Sequence, residues 1–203
     1  MKVRVSLKQR IPFLIDPIRI FKKMKRVIQI RIRTLFDADQ QDRKSPALLK
    51  KALKERWKTI EKNDGLRREE INSILKNNID FRGVDYFRMG LIFQHGTTPD
   101  SIKQAQDLAK KGIEGGNKKS RWLYAAATDR LLMMQKKKQK YGTQFYLDTK
   151  TKEWALHPVS EKTTDEERAL YNIKPLHLVK KTVVSMNRDP KFIRNKEAGI
   201  SSK

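Results

Sequence analysis

The chain has 203 residues, with 47 Lys and Arg against 23 Asp and Glu, a formal net charge of +24. Its 37% hydrophobic residues suffice for a core and exclude wholesale disorder, while zero cysteines exclude a disulfide scaffold, a thiolate nucleophile and Cys-ligated zinc. No apolar run reaches the roughly 20 residues of a membrane-spanning helix, and no continuous apolar h-region marks a secretory signal, so the expected setting is cytoplasmic, without a transmembrane segment.

Met1 to Arg10 alternates loosely through Val3, Val5 and Leu7, a faint strand pattern. Asp16-Pro17 supplies a cap and a first helical residue. Ile18, Phe21, Ile28, Ile32 and Leu35 then recur at helical spacing, with Lys22, Lys23, Lys25, Arg26, Arg31 and Arg33 filling much of the rest. This predicts a basic amphipathic helix ending near Thr34, whose cations are candidate anion-binding residues. Ser45-Pro46 repeats the start signal, and Leu48, Leu49, Ala52, Leu53, Trp57 and Ile60 give a helix face that Asn63-Asp64-Gly65 is expected to break. A further helix is expected over about 66–76.

Tyr86 to Phe93 is apolar nearly all round and reads as a central helix ending near His95. Thr98-Pro99 opens the next helix, closed by Gly112, Gly115 and Gly116, and the strongest helix follows over about 118–136. Alternation then replaces the helical period. Gln144–Leu147 and Glu153–Leu156 flank Asp148-Thr149-Lys150-Thr151, a small β-hairpin near 144–156. Thr164-Asp165-Glu166-Glu167 is a capping box for a short helix through Tyr171, and Pro175 ends it. The fold class expected is mainly α, a helical-hairpin bundle with one small β-hairpin.

The charge is uneven. Residues 1–35 hold eleven Lys and Arg against one acid, and 175–203 hold seven against two. The expected organisation is a basic arm over 1–35, separable from a helical domain over 36–180, and a basic tail over 181–203. Such ends commonly meet phosphate: RNA or the ribosome first, an anionic membrane surface second.

Asp129 and Arg130 interrupt the otherwise apolar stretch from Trp122 to Met134, so they are expected to be more than half buried, with Asp129 touching the Tyr141–Gln144 turn. A buried carboxylate needs a partner. Two readings stay open, a clamp that stitches helices and a site carboxylate. His95 at a helix end is either a capping residue or an acid/base group. Tyr141, Gly142, Thr143 and Gln144 crowd hydrogen-bonding groups around a permissive backbone. Asp39 and Arg43 lie four apart, the spacing of a surface pair. No histidine has ligand spacing to another, and no Gly-rich phosphate loop or nucleophile elbow occurs, so neither a metal nor a cofactor is expected.

Taken in order, Phe93-Gln94-His95-Gly96, then Arg121-Trp122-Leu123 with Ala125-Ala126 and Asp129-Arg130, then Tyr141-Gly142-Thr143-Gln144, resemble a widespread uncharacterised bacterial family. Its motifs are QHG, RWLxAAxxDR and YGTQ, with a closing TTDxER matched here by Thr163-Thr164-Asp165, Glu167 and Arg168. Asp39-Gln40 and Arg43 resemble its opening DQxxR. The resemblance runs over about 36–180 and implies a mostly helical domain built on Asp39, Arg43, His95, Asp129, Arg130, Tyr141, Gln144 and Arg168; it implies no activity. The function expected is a helical domain with a candidate polar pocket, able to take a small ligand, acting near a polyanion. The alternatives are an RNA- or ribosome-associated binding protein without catalysis, and a helical interaction scaffold.

Overall fold

In the computed structural model, which describes residues 16–45, 48 and 52–189, α1 runs from Pro17 to Asp42. Asp16 caps it by accepting from the Ile18 N–H at 3.0 Å. The end expected at Thr34 moves to Asp42, because Ile32, Leu35 and Asp39 continue the inward stripe and all three are buried. Ile32 and Leu35 belong to the main core, so the arm expected over 1–35 is not separable without opening that core. The strand pattern over 1–10 and the tail over 190–203 lie outside the described residues. So do Pro46 of the Ser45-Pro46 start and residues 47 and 49–51.

The second described helix, α2 (Leu53–Leu75), runs straight through Asn63-Asp64-Gly65. Glycine inside a helix costs about 1 kcal/mol. That cost is offset here because the Asp64 carboxylate takes two arginines, Arg43 at 2.7 Å and Arg67 at 2.8 Å.

Three helices follow in a tightly packed run: α3 (Gly83–Gln94), α4 (Pro99–Glu114) and α5 (Lys119–Met134). Thr98 caps α4 by accepting from the Ser101 N–H at 3.2 Å. Met89, Ile92, Ile102 and Ala127 are almost fully buried where these helices meet α1 and α2. The start of α3 lies directly on the end of α4, so that a Cβ on Gly83 would strike the backbone carbonyls of Gly112 and Gly115. Glycine there serves close approach rather than chain reversal.

β1 (Phe145–Leu147) pairs antiparallel with β2 (Trp154–Leu156), with Tyr146 opposite Ala155. Thr164 caps α6 (Asp165–Leu170) through the Glu167 N–H at 3.2 Å. The last described helix, α7 (Leu176–Arg188), buries Val179 and Met186. Its Asn187 both accepts from and donates to the Trp154 backbone, at 2.8 and 3.1 Å. Residues 181–188, expected as tail, therefore belong to the folded body. The protein is mainly α with a small β-hairpin.

Gly83→Ala is expected to destabilise the protein by about 1–3 kcal/mol, because neither carbonyl can retreat without shifting a helix. Urea unfolding monitored by circular dichroism would measure it. A change below about 0.5 kcal/mol, the usual surface value, would contradict the close contact.

Candidate functional site

The candidate residues fold into two polar clusters. The first gathers where α1 ends. Asp39 has no exposed surface and sits one turn before Arg43, whose Nη1 donates to its carboxylate and to its carbonyl, both at 2.9 Å. The Gln40 amide donates at 2.8 Å. His95, at the end of α3, places Nδ1 3.0 Å from Asp39 Oδ1. Arg43 continues to Asp64 on α2 at 2.7 Å. Arg67 bridges Asp64 and Asp42, and Asn63 donates to Asp42 at 3.0 Å. Arg56 donates to the Arg43 carbonyl at 3.2 Å and so closes the end of α1. The pair expected on the surface is thus the centre of an interior ion network joining three helices.

Burial alone would push the Asp39 carboxyl up. The His95 hydrogen bond and charge, the Arg43 guanidinium and the Gln40 amide outweigh that and hold it below the ordinary carboxylate value. Asp39, Asp64 and His95 bring three ligand-type atoms within 4.8 Å of one another. The Arg43 guanidinium contacts both carboxylates, so it already supplies the positive charge that a metal ion would bring.

The second cluster lies where α5 hands over to the hairpin. Asp129 also has no exposed surface. Its Oδ1 accepts from the N–H groups of Lys140 and Tyr141 at 2.7 and 2.8 Å. Its Oδ2 accepts from Gly142 and Thr143, both at 2.9 Å, and from the Thr143 hydroxyl at 2.8 Å. Consecutive amides converge on one carboxylate only because the backbone curls around it, and Gly142 supplies a φ of +92°. Gln139, fully buried, donates to the Gln144 and His157 carbonyls and accepts from the Gln144 N–H. Gln144 in turn donates to the Thr143 hydroxyl at 2.9 Å.

Arg168 reaches in from α6 and is 2% exposed. It donates to the carbonyls of Tyr141 (3.2 Å) and Thr163 (2.8 Å) and to Asp165 (3.0 Å). The Tyr141 ring packs on Tyr171, and burial, with help from Tyr171, pushes its phenol well up.

Arg130 connects the two clusters. It neighbours Asp129 on α5 and donates to the Gln94 carbonyl beside His95. Burial lowers its guanidinium. A groove of about 560 Å³ is lined among the described residues by Gln40, Gln41, Asp42, Lys44 and Ser45. The hydrogen bonds place His95 in the first cluster and Asp129, Tyr141 and Gln144 in the second.

Sequence reasoning found Asp129, Arg130 and the turn together, but left out Asp42, Arg56, Asp64, Arg67 and Gln139. Asp64 sat in an apparent breaker, Asp42, Arg56 and Arg67 lay in stretches dense in charge, and Gln139 followed a run of lysines beyond α5; only the fold brings their partners near. Asp85 is a further buried acid, held by Arg82 at 2.8 Å and Arg88 at 3.2 Å.

Of the six cations predicted on α1, Arg31 pairs with Glu70 at 2.5 and 2.8 Å and Arg33 with Asp37 at 3.5 Å. Lys22, Lys23, Lys25 and Arg26 have no acidic partner among the described residues.

Fold and site together define a mainly helical domain stapled by two buried carboxylates. No protein-family model, no curated protein and no solved structure matches the chain. Asp39, Arg43 and His95 in the first cluster, and Asp129, the Tyr141–Gln144 turn and Arg168 in the second, lie in the segments quoted for the resemblance, while Asp64, Arg67 and Gln139 lie outside them.

Two outcomes follow from this geometry. Asp129→Ala would orphan five donors, and its cost in urea unfolding is expected on the order of 3–5 kcal/mol; a cost under about 0.5 kcal/mol would mean an exposed carboxylate. For Asp39 the folded value lies below the unfolded one. Its contribution to stability is therefore complete above about pH 4 and is lost as pH falls through the lower folded value. Stability measured against pH should fall on acidification less steeply for Asp39→Asn than for the wild type, and parallel curves would contradict the assignment.

Proposed function

We propose that this protein is a non-catalytic helical binding domain that docks on a polyanion through α1. The carrying observation is the pattern of engagement. Asp129 is filled by five donors, Asp39 is matched by Arg43, Gln40 and His95, and Arg168 spends its guanidinium on carbonyls and Asp165. These groups are engaged within the fold, and of the Arg168 guanidinium only Nη2 lacks a hydrogen-bond partner. The segment 17–36 contains seven Lys and Arg and no acid, and Lys22, Lys23, Lys25 and Arg26 are unmatched among the described residues. Unmatched cations on one exposed helix are suited to phosphate-bearing surfaces, which they bind without reading sequence.

A second reading draws on His95. An aspartate on Nδ1 fixes the orientation of an imidazole. The side chain is 22% exposed, which favours chemistry on a small ligand at that point. The separation of the two clusters supports the binding reading over this one.

The test is retention on heparin. The wild type should be held and released by salt, and the combined Lys22→Glu, Lys23→Glu and Arg26→Glu variant should elute at clearly lower salt. Equal elution of the two proteins would refute α1 as the anchor. His95→Gln should leave elution unchanged.

A further inference from the structure

The exposed half of α1 carries more than charge. The stripe buried at Ile32, Leu35 and Asp39 continues toward the N-terminus through Met24, Phe21 and Ile18, yet these three are 44%, 48% and 64% exposed. Ile20 and Val27 widen the bare strip, at 50% and 58%. An amphipathic helix normally hides this face. Here the core begins only at about Ile28, and the preceding turns project beyond it. The apolar stripe is thus packed on the core in the second half of α1 and bare in the first.

We propose that this projecting half, Pro17–Val27, is a docking face for an anionic lipid surface. The proposal rests on the polyanion reading above and names the polyanion. On the helix, Ile20, Phe21, Met24 and Val27 share one side, at spacings of three, four and seven, while Arg19, Lys22 and Arg26 share the opposite side at the same spacings. That is the arrangement of a helix lying in a bilayer interface. The apolar side enters the boundary of headgroups and acyl chains, and the long cationic side chains reach phosphates. No helix among the described residues is long and apolar enough to cross a membrane, so the contact is in-plane.

Charge complementarity selects this occupant. RNA would engage the lysines through its phosphates and stack a base on Phe21 alone, leaving Ile20, Met24 and Val27, which offer no ring for stacking, in water. A second copy laid along the same face would cover them but would bring two helices of the same sign together, with no acid between Asp16 and Asp37 to relieve the repulsion. An anionic membrane satisfies both sides at once.

The experiment uses the full chain in flotation with vesicles of phosphatidylcholine alone or mixed with phosphatidylserine, alongside a heparin column and an unstructured RNA oligonucleotide. The wild type should float with the anionic vesicles and bind the zwitterionic ones at least about tenfold more weakly. The combined Phe21→Ser, Met24→Ser and Val27→Ser variant should lose about tenfold or more in anionic-vesicle affinity while its heparin elution stays unchanged. These side chains are exposed, so its melting temperature should match the wild type. Unchanged vesicle binding by that variant would overturn the proposal and leave the polyanion reading standing. RNA binding without vesicle binding would overturn it in favour of nucleic acid. Self-association that the serine substitutions abolish would overturn it in favour of a second copy. A chain that binds neither heparin nor vesicles would bring down both readings.

Discussion

A carboxylate removed from water must be answered by donors, and Asp129 is where that constraint organises the molecule. Its two oxygens collect four consecutive backbone amides and one hydroxyl, so the chain leaving α5 turns in one way only. The hairpin starts two residues later. Arg168 then braces the same turn from outside through the Tyr141 carbonyl, and Asp165, which holds Arg168, also accepts from the Leu176 N–H at the start of α7. Asp129 and Arg168 are the buried members of this chain of contacts and would be costly to bury alone, while Asp165 is part exposed.

The network at Asp39 solves the converse problem. Three acids, Asp39, Asp42 and Asp64, lie beside Arg43 and Arg67 on two helices whose apolar contact is limited, and His95 brings in a third helix. Isolated ion pairs on a surface contribute little. A shared interior network is different in kind, because removing any member strands its neighbours. It also explains why α2 tolerates Gly65: the helix there is held by what Asp64 grips, not by local propensity.

Much of the fold was legible because its signals are local. Asp16-Pro17, Thr98-Pro99 and Thr164 with Glu167 each mark a helix start by chemistry confined to a single turn, and the change of period after Tyr141 marks the hairpin. Asp129 was legible as an anomaly, a charge inside an apolar helix. What escaped was set by partners distant in sequence. Asn63-Asp64-Gly65 reads as a break until Arg43, 21 residues away from Asp64, is placed beside it. Thr34 reads as a helix end until Leu35 and Asp39 are seen to face inward. Asp39 and Arg43 read as a surface pair because the spacing reports which side chains meet, not what covers them. Trp122, which opens the apolar stretch ending at Met134, is 42% exposed, since a helical period does not say which arc the neighbours occupy.

α1 is a single uninterrupted helix from Pro17 to Asp42, without proline, glycine or a loop between its projecting turns and the turns locked into the core. A continuous helix is stiff over this length, at about 1.5 Å of rise per residue. Whatever grips Ile18 to Val27 therefore grips a lever, and the orientation of that grip passes undamped to the Asp39 network at the other end. The core cannot swivel freely beneath its attachment. A pull or a tilt applied at the first turns arrives as torque where Arg43, Asp64 and His95 meet.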